Sequence, residues 1–122
     1  MVDVIIDTSS ILFALANGHD VFDAVKRRFP HGRQVVSQGV IRELKGLSMN
    51  AGKHGIWAKT ALVAISVKDI KVADSNMSVD KWIFDAAAGS DCVVVTNDTE
   101  LVDKLDGVGV RAFKVARNGA LR

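Results

Sequence analysis

Short β-branched runs alternate along the chain with stretches of helical period. Val2-Asp3-Val4-Ile5-Ile6 is apolar without clean alternation and no hairpin turn follows it, so it reads as a strand of a parallel sheet. Thr8, Ser9 or Ser10 then offers an N-cap for a helix through Ile11-Leu12-Phe13-Ala14-Leu15. Ala16-Asn17-Gly18-His19 is a break. Helical period resumes from Asp20 to Phe29, with Val21, Phe22, Val25 and Phe29 on one face, and Pro30-His31-Gly32 ends it. Gln34-Val35-Val36 is a short strand, and Ser37 caps a helix that carries Val40 to Leu47.

Asn50-Ala51-Gly52-Lys53-His54-Gly55 reads as a glycine-containing basic loop, followed by a helix from Ile56 to Ser66 with Ile56, Ala61, Leu62 and Ile65 toward the core. Ile70-Lys71-Val72 is a weak strand at a sheet edge. Ser78 caps a helix from Val79 to Ala87, closed by Gly89. Cys92 to Val95 is an interior strand. Asn97 and Glu100 have the spacing of a capping box for a helix reaching about Leu105. Val108 to Val115 contains a last strand, and Ala116 to Arg122 reads as a ragged, mobile tail. Strands separated by helices throughout predict an α/β fold with a parallel sheet covered on both faces.

Composition narrows the class. The 122 residues suit one domain with a real core, and 48% hydrophobic residues with a single proline describe a globular chain. No 18-residue apolar span and no signal-peptide pattern occur, so no membrane role and a cytoplasmic setting are expected. Cys92, the one cysteine, reads as a small buried hydrophobe beside Val93-Val94-Val95. A net charge of +2 is too small to argue nucleic-acid binding. The acids say more: of 14, only Glu43 and Glu100 are glutamates. Aspartate is the poorer helix former, so its excess places acids at caps, turns or sites.

Four acids are candidates for chemistry. Asp7 stands where the first strand hands over to a helix, the edge at which open α/β sheets bind ligands, though a cap explains it as well. Glu43 borders the apolar arc of Val40, Ile41, Leu44 and Leu47, where a salt bridge is an equal reading. Asp80 precedes Ile83, Phe84 and Ala87 by three, four and seven positions, which points it into an apolar face; the helix start offers partial relief. Asp98 repeats that arrangement ahead of Leu101, Val102 and Leu105. One sheet edge can gather all four. Such a cluster repels itself unless cations bind, and hard oxygen donors select Mg²⁺ or Mn²⁺, ions suited to phosphodiester hydrolysis.

Four segments carry a resemblance. Val4-Ile5-Ile6-Asp7-Thr8-Ser9, Val36-Ser37-Gln38-Gly39-Val40-Ile41-Arg42-Glu43-Leu44, Val79-Asp80-Lys81-Trp82-Ile83-Phe84-Asp85-Ala86-Ala87 and Val94-Val95-Thr96-Asn97-Asp98-Thr99-Glu100-Leu101 resemble, in order, the four motif segments of PIN domains. The resemblance spans the whole chain and implies a single nuclease domain over residues 1–122, a three-layer α/β/α sandwich with a central parallel sheet. It further implies a metal-dependent endoribonuclease site of Asp7, Glu43, Asp80 and Asp98, with Thr8, Ser9 and Thr96 as supporting hydroxyls. The Gly-Lys-His-Gly loop and the Thr-Asn-Asp segment look similar to archaeal relatives of the ribosomal-RNA-processing proteins Fcf1 and Utp23. Toxins of toxin–antitoxin pairs share the same four-acid plan. The implied partners are RNA, a second copy in a homodimer, and an antitoxin or a ribosome-assembly factor.

For RNA contact the candidates are Lys53 and His54 in the basic loop and Lys81 beside Asp80, each equally at home on a solvated surface. Arg111, Lys114 and Arg117 could form a basic rim. Trp57 and Trp82 are better explained as core or oligomer contacts than as stacking platforms, and His19 and His31 as loop residues. Two other classes stay open: a non-catalytic RNA-binding domain, and a receiver- or phosphatase-like α/β domain.

Overall fold

A computed structural model describes residues 2–122. Five strands and six helices follow one another as β1 (Asp3–Ile6), α1 (Thr8–Ala16), α2 (Val21–Arg28), β2 (Arg33–Ser37), α3 (Gln38–Ser48), α4 (Lys53–Val67), β3 (Lys71–Ala73), α5 (Val79–Ala87), β4 (Cys92–Val95), α6 (Thr99–Gly107) and β5 (Arg111–Phe113). The strands form one sheet in the order β3-β2-β1-β4-β5, and every pairing is parallel. The α/β architecture expected from the sequence is the one found. β1 lies at the centre, which is why Val4, Ile5 and Ile6 are all buried and why the run does not alternate.

The order reverses once. The chain steps outward from β1 to β2 to β3, then returns across β1 to β4 and β5. With right-handed crossovers, that reversal sends α1–α4 to one face and α5–α6 to the other. Helix contacts follow the division: α1 touches α2, α3 and α4, α3 packs on α4, and α5 meets α6. Among the described residues no helix is long and apolar enough to cross a membrane.

Several local expectations need correction. Asp7, not a hydroxyl residue, is the N-cap position of α1. The basic loop is shorter than expected, because α4 begins at Lys53; Lys53 and His54 lie in its first turn, and Gly52 (φ 88°) makes the bend before it. That start turns Gly55, Ala58, Ala61 and Ile65 inward and leaves Ile56 exposed. A Cβ at Gly55 would run into the Asn50 carbonyl. Asp80 does not enter the apolar face of α5: Val79, Ile83 and Ala87 are buried, and Asp80, one 100° step from Val79, is exposed.

Asn97 does not cap α6. Asp98 does, accepting hydrogen bonds from the Glu100 and Leu101 N–H groups. Nor is the C-terminal segment ragged. Lys114 and Arg122 exchange N–H···O bonds of 2.8 Å in both directions, and Ala116 donates to Ala120, so the chain folds back through Gly119 (φ 86°). Asn97 fastens this return, donating to the Val115 carbonyl at 3.0 Å and accepting from its N–H at 2.9 Å.

Candidate active site

Asp7 follows the last residue of the central strand, and its backbone N–H extends the ladder to the Val95 carbonyl at 2.9 Å. Its side chain forms no capping bond to α1. Instead the Ser9 and Thr96 hydroxyls both donate to Oδ2 at 2.7 Å, one from α1 and one from the end of β4. The two hydroxyls lie 3.2 Å apart, Ser9 Oγ accepts from the Asn97 N–H, and Thr96 Oγ1 accepts from the Asp98 N–H. Ser10 completes the junction, its buried hydroxyl within bonding distance of the Asp7 and Val95 carbonyls. Asp7 is thus a buried carboxylate held by a network that spans the point of strand reversal.

That network does not cancel the cost of burying charge. Burial pushes the Asp7 carboxyl above the ordinary aspartate range; the Thr96 and Ser9 hydroxyls pull it back, and the Glu43 charge raises it again. Glu43 stands on the exposed side of α3, where Thr8 donates to its Oε1 at 2.6 Å. Asp80, in the first turn of α5, is also raised, first by burial and then by the charges of Asp7 and Asp98, against the opposing pull of Lys104. Asp98 uses Oδ1 for both capping bonds.

Asp7, Glu43, Asp80 and Asp98 line one open cleft of about 630 Å³ at the carboxyl edge of the sheet, with Thr8 and Ser9 in its wall. The sequence thus named four acids that share a cleft, although for Asp80 the route was mistaken. It did not identify Leu12, Gly46 and Leu47, which make the apolar side of the same cleft. Nor did it foresee Ser10 as a junction residue; a third consecutive hydroxyl after a strand was the available signal. Neither Lys53 nor His54 lines the cleft; His54 packs edge-on against Trp57, ring centroids 5.1 Å apart. Lys81 opens onto an adjoining groove that shares Asp80.

All the donors are carboxylate or hydroxyl oxygens, a set suited to a hard divalent cation. Among the described residues, however, no three acids, histidines or cysteines approach closely enough to form a group that could hold a metal directly. Mg²⁺ commonly keeps several waters and touches only one or two carboxylates, so an ion in this cleft would be held largely through its hydration shell.

Residues 4–117 match the family described as the PIN like domain. The chain belongs to that family. A curated relative, ribonuclease VapC9 of Archaeoglobus fulgidus, is 29% identical over 107 residues, covering 87% of this chain and 77% of the relative. Among solved structures, the PIN domain endonuclease Utp24 superposes with a TM-score of 0.80 at 25% identity, over 98% of this chain and 89% of that one. A domain of a functionally unknown protein from Methanocaldococcus jannaschii superposes with a TM-score of 0.69 at 15% identity, over 95% of this chain and 92% of that one, a likeness of fold. The PIN resemblance seen in the four motif segments therefore holds at family level, within a three-layer arrangement of helices on a parallel sheet.

Proposed function

We propose that the chain is a metal-dependent ribonuclease whose cleft, lined by Asp7, Glu43, Asp80 and Asp98, hydrolyses RNA phosphodiester bonds. The observation that carries the reading is the meeting of four acids from different parts of the chain on one cleft, with Asp7 pushed up in pKa by burial and the Glu43 charge, and Asp80 by burial and the charges of Asp7 and Asp98. Asp7 and Asp98 would take the larger share in holding Mg²⁺ or Mn²⁺, Glu43 and Asp80 the remainder. When bound, the cation lowers the pKa of a water and offsets charge on the phosphoryl oxygens.

The side chains have separate tasks. Thr96 and Ser9 fix the rotamer of Asp7, and Thr8 aims Glu43 across the cleft. Asp80, exposed and raised, is the carboxylate best placed to take a proton from an attacking water. Lys81 would meet the RNA backbone beside Asp80. Lys53 and His54, outside the cleft, would serve only a longer stretch of RNA.

The likeness to Utp24 favours a role in ribosomal RNA processing. A toxin acting within a toxin–antitoxin pair is the second reading, favoured by the similarity to ribonuclease VapC9. The decisive test is cleavage of RNA by purified wild type, Asp7→Asn, Asp80→Asn and the double variant with Mg²⁺ or Mn²⁺, and with chelator. Cleavage should require metal and disappear in the variants while their circular dichroism stays native. Activity retained in the folded double variant would refute the assignment. Induced expression then separates the roles: arrested growth supports the toxin, whereas unprocessed ribosomal RNA in a deletion strain supports processing.

A further inference from the structure

A second groove, of about 610 Å³, opens between α5 and α6 and shares Asp80 with the catalytic cleft. Its floor is apolar, built by Phe84, Leu101 and Val108, and its walls carry Lys81 and Lys104. Val108, at the far end of α6, is 49% exposed although it is a large apolar residue. Neither lysine belongs to an ion pair among the described residues, in contrast to Lys68, which is paired with Asp20 and Asp23. From Glu100 to Val108 the groove runs along α6 for about 12 Å at 1.5 Å per residue.

We infer that this groove is a nucleotide subsite, in which a base flanking the scissile phosphate lies on Phe84 and its phosphates meet Lys81 and Lys104. Three features select this occupant. The groove begins at a proposed catalytic acid, so a strand leaving the cleft enters it without a gap. It pairs an aromatic and aliphatic floor with unpartnered ammonium groups, the combination that holds single-stranded nucleic acid through stacking and backbone charge. It also carries an acceptor, Glu100, one helical turn from Lys104 on α6, that can take a hydrogen bond from a base N–H group.

The inference rests on the ribonuclease reading, and its test keeps the two apart. The probes are single-stranded oligoribonucleotides, cleaved in Mn²⁺ for kinetics and carrying 4-thiouridine for photocrosslinking in chelator. Phe84→Leu keeps the apolar bulk and removes the ring; Lys104→Gln changes an accessible side chain and leaves the fold intact even if Phe84→Leu does not. Loss of one stacking contact should raise KM about tenfold in Phe84→Leu, and Lys104→Gln should raise KM several-fold with a shallower salt dependence, kcat staying within about twofold in both. An abasic nucleotide at the stacked position should reproduce the wild-type loss and add nothing to Phe84→Leu. Crosslinks should fall on α5 and α6. Cleavage unaffected by either variant, with crosslinks elsewhere, would overturn the subsite and leave the nuclease intact. Crosslinks to the groove without cleavage would support the subsite and refute the nuclease. A dimer abolished by Val108→Lys while RNA affinity is unchanged would assign the groove to a second copy and overturn the proposal.

Discussion

Thr96→Val tests the Asp7 network most directly, because valine keeps the shape of threonine and removes only its hydroxyl. Thr96 is fully buried, donates to Asp7 Oδ2 at 2.7 Å and accepts from the Asp98 N–H at 3.1 Å. A hydrogen bond to a charged acceptor contributes about 1.5–3 kcal/mol, and an N–H left without a partner costs about 1 kcal/mol or more. The expected loss is roughly 3 kcal/mol, or about 10 °C in melting temperature for a chain of this size. Its pH dependence has a definite sign. Asp7 is raised in the folded state, so the native chain binds its proton more tightly than the unfolded one, and stability falls as pH rises from the ordinary aspartate range through the folded value. Because the Thr96 bond pulls Asp7 down, Thr96→Val raises it further. The deficit is then largest where Asp7 is ionised, at neutral pH, and shrinks as acidification protonates it. Calorimetry of wild type, Thr96→Val and Thr96→Ser in chelator across this range is the assay, with serine retaining most of the wild-type behaviour. An equal deficit at both ends of the range, or one below about 3 °C at neutral pH, would show that the hydroxyl does not hold the carboxylate.

Asp98→Asn should keep the α6 cap and its stability while losing cleavage, whereas Asp98→Ala should lose both, the cap alone being worth about 1 kcal/mol; chemical denaturation beside the RNA assay separates them. Asn97→Ala removes two hydrogen bonds to the Val115 backbone, so amide exchange over residues 114–122 should accelerate at least tenfold with β1 still protected, and unchanged protection would refute the fastening role. Mn²⁺ at one hundred times its dissociation constant should stabilise the wild type by about 2.7 kcal/mol, and Asp7→Asn should lose that gain; a melting temperature unmoved by millimolar Mn²⁺ would remove the case for an ion in the cleft.

The parts of the molecule legible in the sequence are those in which local pattern and tertiary role coincide. Cys92–Val95 is a strand with the bounds its β-branched run suggested, since a buried parallel strand needs no alternation. Asp80 shows the converse: spacing from Ile83 and Ala87 suggested an inward direction, but the face actually buried is set by Val79, one position earlier. An apolar arc can be read with an offset of one residue, and near a helix start only packing decides which. Asn97 satisfied the capping-box spacing and was drawn away by the Val115 backbone, 18 positions on, a partner that no local pattern reveals. The ordered C-terminal return depends on the same long-range contact.

Why the acids collect where they do follows from the reversal in strand order. Asp7 leaves the central strand β1, Asp98 follows its neighbour β4, and α5 descends on the opposite face from α3, so Asp80 and Glu43 flank the gap from two sides. Helix ends assist, since Asp7 and Asp98 occupy N-cap positions and Asp80 a first turn, where each carboxylate gains about 0.3–1 kcal/mol from the exposed N–H groups. If those dipoles were sufficient, the carboxyl groups would sit in or below the ordinary aspartate range. Asp7 and Asp80 sit above it, and for Asp80 the charges of Asp7 and Asp98 rank directly after burial as the cause. For Asp7, burial and the Glu43 charge therefore outweigh the two hydroxyl bonds. An isolated fold gains nothing from that arrangement, because replacing such a carboxylate with an amide would retain the hydrogen-bond acceptor and remove the charge. A cation held through its waters, as the proposed ribonuclease reading requires, would offset that surplus negative charge.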